Sequence, residues 1–231
     1  MPDLCLAIDT ATSRATLALG SLADGSLVTM DTWPGGHAHA ETLLPRLQAL
    51  LADAGVGLGA IGGIAVGVGP GGFTGLRVGL ATAKTLAHGL RRPIVGVGTA
   101  AGLAAATGET GALTVLLPAG PRDRYLIPIP DDGTGARLLA PVAFEAWLAA
   151  PARRSATLVA VDLDDPAVPA DAHRRGATAL GGLGAALLRI GAAALAGGRA
   201  DDVLALVPAY VALPRGIDAA AEGAAWSPDL R

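Results

Sequence analysis

The stretch 64-IAVGVGPGGFTGLRVGLATAKTLAHGL-90 decides how the chain is read. Residues 64–68 form a continuous apolar run, the pattern of a strand buried on both faces. Gly69-Pro70-Gly71-Gly72 then predicts a sharp turn, because glycine reaches backbone angles closed to other residues. Over residues 73–90 apolar side chains recur at helical spacing, with Phe73, Leu76, Leu80, Ala83 and Ala87 on a core face. Gly75 and Gly79 lie within that helix, each costing about 1 kcal/mol relative to alanine. Two such glycines one turn apart predict close approach of another helix or backbone. Thr74, Arg77, Ala81, Lys84 and His88 lie near the same face and mix small side chains with polar ones. Unpaired amides at the helix start make Gly71 and Gly72 candidate anion contacts.

Upstream of this unit, residues 4–8 read as a buried strand ending in the hydroxyl-rich turn Asp9-Thr10-Ala11-Thr12-Ser13. Residues 14–20 alternate as the second arm of a hairpin, Asp24-Gly25 marks a turn, and residues 26–32 make a third strand. The run 33-WPGG-36 breaks the pattern. A helix over residues 38–54 follows, with Leu43, Leu44, Leu47, Leu50 and Leu51 in a band wider than one core contact needs and Pro45 bending its start. Residues 55–63 read as a loop. Downstream, a strand over 93–97 and a helix over 99–106 complete an alternation that predicts a right-handed βαβ crossover.

Beyond Gly108 the texture changes to short strands (113–117, 125–129 and 137–139) interrupted by prolines. A short helix (144–149), a strand (157–161), a loop (162–173), a long Ala/Leu helix (177–196) and an extended segment (207–211) follow. The expected division is a first lobe over 1–105, to which 200–218 returns, a divergent second lobe over 106–199, and a tail over 219–231.

With 231 residues and 52% hydrophobic content, the chain is long and apolar enough for a sizeable core. A net charge of −3 provides no global basic field for nucleic acid and no polybasic membrane surface. Cys5 is the single cysteine, which excludes an internal disulfide and a cysteine-based zinc site; its apolar strand context marks it as a core residue. No secretory pattern opens the sequence, and the apolar run within 176–198 carries Arg189 and is too short to span a bilayer. A cytoplasmic protein with no membrane partner is expected.

The chemistry-bearing patterns are sparse. Residues 67–72 match GxGxxG after a strand, but no Asp or Glu occurs between Asp53 and Glu109, so the ribose-binding acid of a dinucleotide site is missing. No Gly-Lys-Ser/Thr follows to make a Walker loop. His37, His39 and Glu41 lack a distant further ligand for a metal. Asp9, at the end of the first strand, either holds a magnesium–phosphate group or bonds its own turn through Thr10 to Ser13. No nucleophile–base order is present, so no catalytic residue and no metal site is assigned.

Taken together, AIDTATSRATLALG from Ala7, HAETLLP from His39 and GVGPGGFTGLRVGLATAKTLA from Gly67, followed by PIVGVGT, resemble the TsaB (YeaZ) family. The resemblance is strong over residues 4–103 and weak beyond. It implies an α/β, actin-like (ASKHA, ribonuclease H-like) two-lobed fold with a duplicated βββαβαβα-type core. It also implies a non-catalytic subunit that binds and activates the TsaD-type enzyme in threonylcarbamoyl modification of tRNA adenosine. TsaD-like sequences carry a histidine pair where this chain has Thr99 and Leu103, so that metal site is expected to be absent. Pairing with TsaD, or with a second copy when alone, is expected through the first two helices, using His39, Leu43, Leu47, Thr74, Gly75, Arg77, Val78, Gly79, Ala81 and Lys84. A TsaE-type ATPase is expected on the resulting pair, tRNA to be reached indirectly, and ATP or ADP to bind only in the complex. Asp9, Thr10, Gly71 and Gly72 are the candidate nucleotide contacts. Pro118 and Val211-Ala212 depart from the family pattern. The rival readings are an independent actin-like ATPase or kinase using Asp9, and a glycoprotease-like peptidase.

Overall fold

The computed structural model describes residues 3–35, 39–131, 134–150 and 156–211. His37, Asp132 and the expected tail lie outside the described residues. The elements in order are β1 (Leu4–Asp9), β2 (Arg14–Ser21), β3 (Leu27–Pro34), α1 (His39–Asp53), a 3-10 turn (Leu58–Ala60), β4 (Ile61–Gly67), α2 (Phe73–Leu90), β5 (Ile94–Val97) and α3 (Thr99–Ala106). There follow β6 (Leu113–Ala119), β7 (Asp123–Ile129), β8 (Arg137–Leu139), α4 (Pro141–Ala149), β9 (Thr157–Ala160) and α5 (Ala170–Ala196).

These strands make two mixed sheets, ordered β3-β2-β1-β4-β5 and β8-β7-β6-β9. β1 pairs antiparallel with β2 and parallel with β4. β6 repeats this arrangement with β7 and β9. The same hairpin-then-crossover topology therefore occurs twice.

Strand alternation sorts β1 by size. Leu6 and Ile8 join Leu43, Leu47, Leu50 and Leu80 in a core under α1 and α2. Cys5 and Ala7 face the other way and, with Ala18 and Ala65, meet Leu183, Leu187 and Ala192 of α5. Leu113, Val115 and Leu117 of the second sheet enter that same cluster, so α3 and α5 form a middle layer between the sheets. The outer face of the second sheet packs Leu116 and Leu126 against Phe144 of α4.

Several boundaries differ from those expected, for identifiable reasons. β3 continues through Trp33 and Pro34, because it is an edge strand and proline there removes no needed donor. β4 starts at Ile61 within the expected loop. The long helix begins at Ala170, seven residues early, because its first two turns bury only Ala172 and Gly176 and so show little apolar periodicity. This helix, expected within the second lobe, packs on both sheets. Its N-terminal part packs on β9 and the rest on the first sheet. By length and mean hydropathy α5 would suit a membrane span, and its apolar side is taken up by this packing.

The glycines of α2 also need correcting. Gly75 and Gly79 are buried within the chain, and their neighbour is Thr10 rather than another helix. The Thr10 hydroxyl donates to the Gly75 carbonyl at 2.7 Å. A Cβ on Gly79 would lie 2.2 Å from that hydroxyl oxygen. Gly79→Ala is expected to destabilise the fold by about 1–3 kcal/mol, as overpacked sites do. Adding Thr10→Ala should recover part of the loss, since the two sites are coupled. Urea midpoints of the two single variants and the double variant check this.

Candidate functional site

An open cleft of about 580 Å³ separates the two sheets at the end where the turns converge. Its walls are the β1–β2 turn (Thr10 to Ser13), the start of α2 (Gly71 to Gly75), the end of β6 with Gly120, and Asp162 after β9. In these walls the side chains of Thr10, Thr12, Ser13 and Asp162 bond to the chain itself.

Asp9 is fully buried and is not part of the cleft lining. Its Oδ1 accepts the Ala11 amide at 2.8 Å and its Oδ2 accepts the Thr99 hydroxyl at 2.7 Å. Thr99 in turn accepts the Gly69 amide at 3.1 Å and donates its own amide to the Gly69 carbonyl at 2.9 Å. A Cβ on Gly67 would fall 1.8 Å from Oδ2, so only glycine admits the carboxyl. Burial pushes the Asp9 carboxyl up to about 6, against the opposing bonds from Ala11 and Thr99. Of the two readings of Asp9, the geometry thus favours the one in which it ties its own turn. The same bonds join that turn to the ends of β4 and β5.

The glycine-rich turn is occupied too. Gly72 donates its amide to the Ala11 carbonyl at 2.7 Å. A Cβ on Gly71 would stand 2.2 Å from that oxygen. Gly71 and Gly72, expected as phosphate contacts with Asp9 and Thr10, instead seat the β1–β2 turn. Across the cleft, the Ser13 amide donates to Asp162 Oδ2 at 2.6 Å and the Ser13 hydroxyl to Oδ1. Asp162 holds this tie from a left-handed backbone, φ 56°. Nothing in the sequence singled out that pair, because two polar residues 149 positions apart carry no local pattern.

The expected interface residues divide three ways. Leu43 and Leu47 are 1% and 2% exposed and belong to the core under α1, while Leu44 beside them is 50% exposed. Gly75 and Gly79 are buried against Thr10. Arg77 and Lys84 hold a C-terminal strap over residues 201–211. Lys84 Nζ donates to the carbonyls of Leu204 (3.1 Å) and Leu206 (2.9 Å). Arg77 Nε donates to the Tyr210 hydroxyl at 3.2 Å, and its guanidinium lies 3.8 Å from the Phe73 ring centroid. Asp201 closes the other end of the strap, bridging to Ile94 and accepting the Gly96 amide at 2.7 Å. Thr74 and Ala81 are exposed and Val78 is half-buried. His39 opens α1, and its side chain lies outside the described residues. Among the described residues, no three metal-ligating side chains gather into a group. Burial pushes the Cys5 thiol up to about 12, which leaves it unreactive at neutral pH.

The family described as "TsaD: tRNA N6-adenosine threonylcarbamoyltransferase" matches residues 34–129. The chain is 39% identical over 113 residues to the tRNA threonylcarbamoyladenosine biosynthesis protein TsaB of Escherichia coli, covering 48% of this chain and 47% of that one. An uncharacterized protein of Mycobacterium tuberculosis is 44% identical over 96 residues, 40% of this chain and 44% of its own. The aligned part thus spans under half the length of these curated relatives. Among solved structures, YeaZ from Pseudomonas aeruginosa superposes with a TM-score of 0.63 at 26% identity, covering 90% of this chain and all of that one. In sequence and in fold the chain is similar to the TsaB (YeaZ) proteins. Thr99 and Leu103 are both fully buried, the first bonded to Asp9 and the second packed in the middle-layer core.

The Asp9 arrangement makes a pH-dependent expectation. The folded carboxyl sits above its ordinary value of 3.8, so the folded chain holds that proton more tightly. Stability from this group is therefore full below about pH 3.8 and declines as pH rises to about 6. Asp9→Asn removes that decline and should gain on the parent across this interval, by up to ~3 kcal/mol at 1.36 kcal/mol per pKa unit. Asp9→Ala, which orphans the Ala11 amide, should cost about 1–3 kcal/mol. Urea midpoints at several pH values separate the two outcomes.

Proposed function

We propose that this chain is a non-catalytic partner subunit that binds and activates a TsaD-type threonylcarbamoyltransferase acting on tRNA adenosine. The observation that carries this reading is the state of the cleft. The side chains of Thr10, Thr12, Ser13 and Asp162 and the Gly72 amide are committed to internal bonds, and Asp9 is shut beneath the cleft floor. A transferase or kinase needs such groups free to meet substrate. The name of the Escherichia coli relative supports a place in threonylcarbamoyladenosine formation.

The docking face we assign is the exposed surface of α1 and α2: Leu44 and Pro45 from one helix, Thr74, Val78 and Ala81 from the other. It is apolar at its centre and lies on well-packed helices, as anchor residues of interfaces do. The same face pairs two copies of the chain when no TsaD-type partner is present. A TsaE-type ATPase docks on the heterodimer, ATP or ADP binds only in that complex, and the setting is cytoplasmic. The actin-like fold is retained without its nucleotide chemistry, as the doubled hairpin-and-crossover topology and the sealed Asp9 support.

Reconstituted tRNA modification with and without this chain tests the reading, alongside size exclusion with the TsaD-type subunit. Modification should require the chain, and the pair should co-elute. Leu44→Glu should weaken pairing by about 30-fold, the scale of a ~2 kcal/mol hot spot, with an unchanged urea midpoint. Modification at full rate in the chain's absence would refute the activator role.

A further inference from the structure

The edge of α2 beside the proposed docking face carries a run of positive charge with no carboxylate partner. Helical spacing puts Phe73, Arg77 and Lys84 within one narrow stripe, and Arg91 and Arg92 extend it past the C-terminus. From Arg77 to Arg91 the stripe runs about 21 Å at 1.5 Å per residue. None of these side chains belongs to an ion pair among the described residues. Lys84 is bonded to two carbonyls and Arg77 to a phenol and a ring, none of them an acid. At the far end lies a hollow of about 540 Å³ lined by Ala87, His88, Gly89, Arg91, Arg92 and Val203. The nearby acids are Asp201 and Asp202 of the strap. Both are exposed, and each accepts backbone amides through one oxygen, Asp201 from Gly96 and Asp202 from Leu204 and Ala205.

We infer that this stripe is a contact surface for the phosphate backbone of RNA. The cations are strung in a line, as a polyphosphate requires, whereas an acidic protein surface would call for a central apolar anchor that the stripe lacks. Its length suits several consecutive phosphates, which recur at about 3.4 Å of axis per strand in a duplex. Arg77, set 3.8 Å over the Phe73 ring and exposed, offers a guanidinium of the kind on which unpaired bases stack. The inference rests on the tRNA-modification reading and sharpens it, since the RNA then touches this subunit directly instead of only through its partner. The net charge of −3 confines the contact to this edge.

The test is anisotropy of a fluorescein-labelled tRNA transcript titrated with the full chain, alone and with the TsaD-type subunit, over a salt series. Arg91 has φ 53°, so Arg91→Asn, which tolerates that backbone, is combined with Arg92→Gln. The double variant is expected to bind about tenfold more weakly and to lose about 2 from the log–log salt slope, one for each phosphate contact. Val142→Ala, at an exposed position of α4 on the outer face of the second sheet, should leave binding by the isolated chain unchanged. Equal affinity and slope in the arginine double variant overturns the inference. So does displacement of the tRNA by polyglutamate at equivalent charge, which assigns the stripe to acidic protein. RNA binding through these arginines without any requirement for the chain in modification upholds the surface and refutes the activator reading. Dispensable arginines in a chain that modification still requires do the reverse.

Discussion

The fold depends on how closely α5 lies against the strands on either side of it. A Cβ on Gly191 would stand 2.2 Å from the Ala65 side chain, one on Gly184 2.4 Å from Thr16, and one on Gly176 1.6 Å from the Ala160 carbonyl. Glycine on the helix and alanine or cysteine on the strands are therefore one requirement stated twice. Because α5 serves both sheets, neither lobe has a complete core without it, and the two are halves of one packed body.

A second consequence of close approach appears at the turns. Gly67, Gly71 and Gly79 each leave room for a group of the β1–β2 turn: the Asp9 carboxyl, the Ala11 carbonyl and the Thr10 hydroxyl. In an enzyme, glycines at such a turn would admit a ligand's phosphates to the backbone. Here the chain's own turn fills that room. The cleft stays open, while its floor is closed by internal hydrogen bonds.

Much of this was legible in the sequence, for reasons that also mark where legibility ended. The buried strands, the turn at Gly69 to Gly72 and the full span of α2 follow from local patterns of apolar spacing and glycine. The identity of the close neighbour of Gly75 and Gly79 did not, because a glycine announces proximity without naming what approaches. The leucine band of α1 hid a similar ambiguity: Leu43 and Leu47 turn inward while Leu44 turns out, and a wide band contains both. The first turns of α5, the strap contacts of Arg77 and Lys84, and the Ser13–Asp162 tie join residues far apart in sequence. Periodicity carries no record of such pairs.

The position of α5 in the chain also bears on synthesis. The first sheet is fully made once β5 ends at Val97, yet the helix that covers its second face begins at Ala170. On a ribosome that face waits, bare, while some seventy further residues are added, and partly made chains with sticky exposed faces are prone to aggregate. The waiting surface is built from Cys5, Ala7, Ala18 and Ala65 with Val95 and Val97, whereas the larger Leu6, Ile8 and Leu17 point to the side that α1 and α2 close first. Close packing of a late helix thus leaves the nascent chain with its least adhesive side exposed for the longest time.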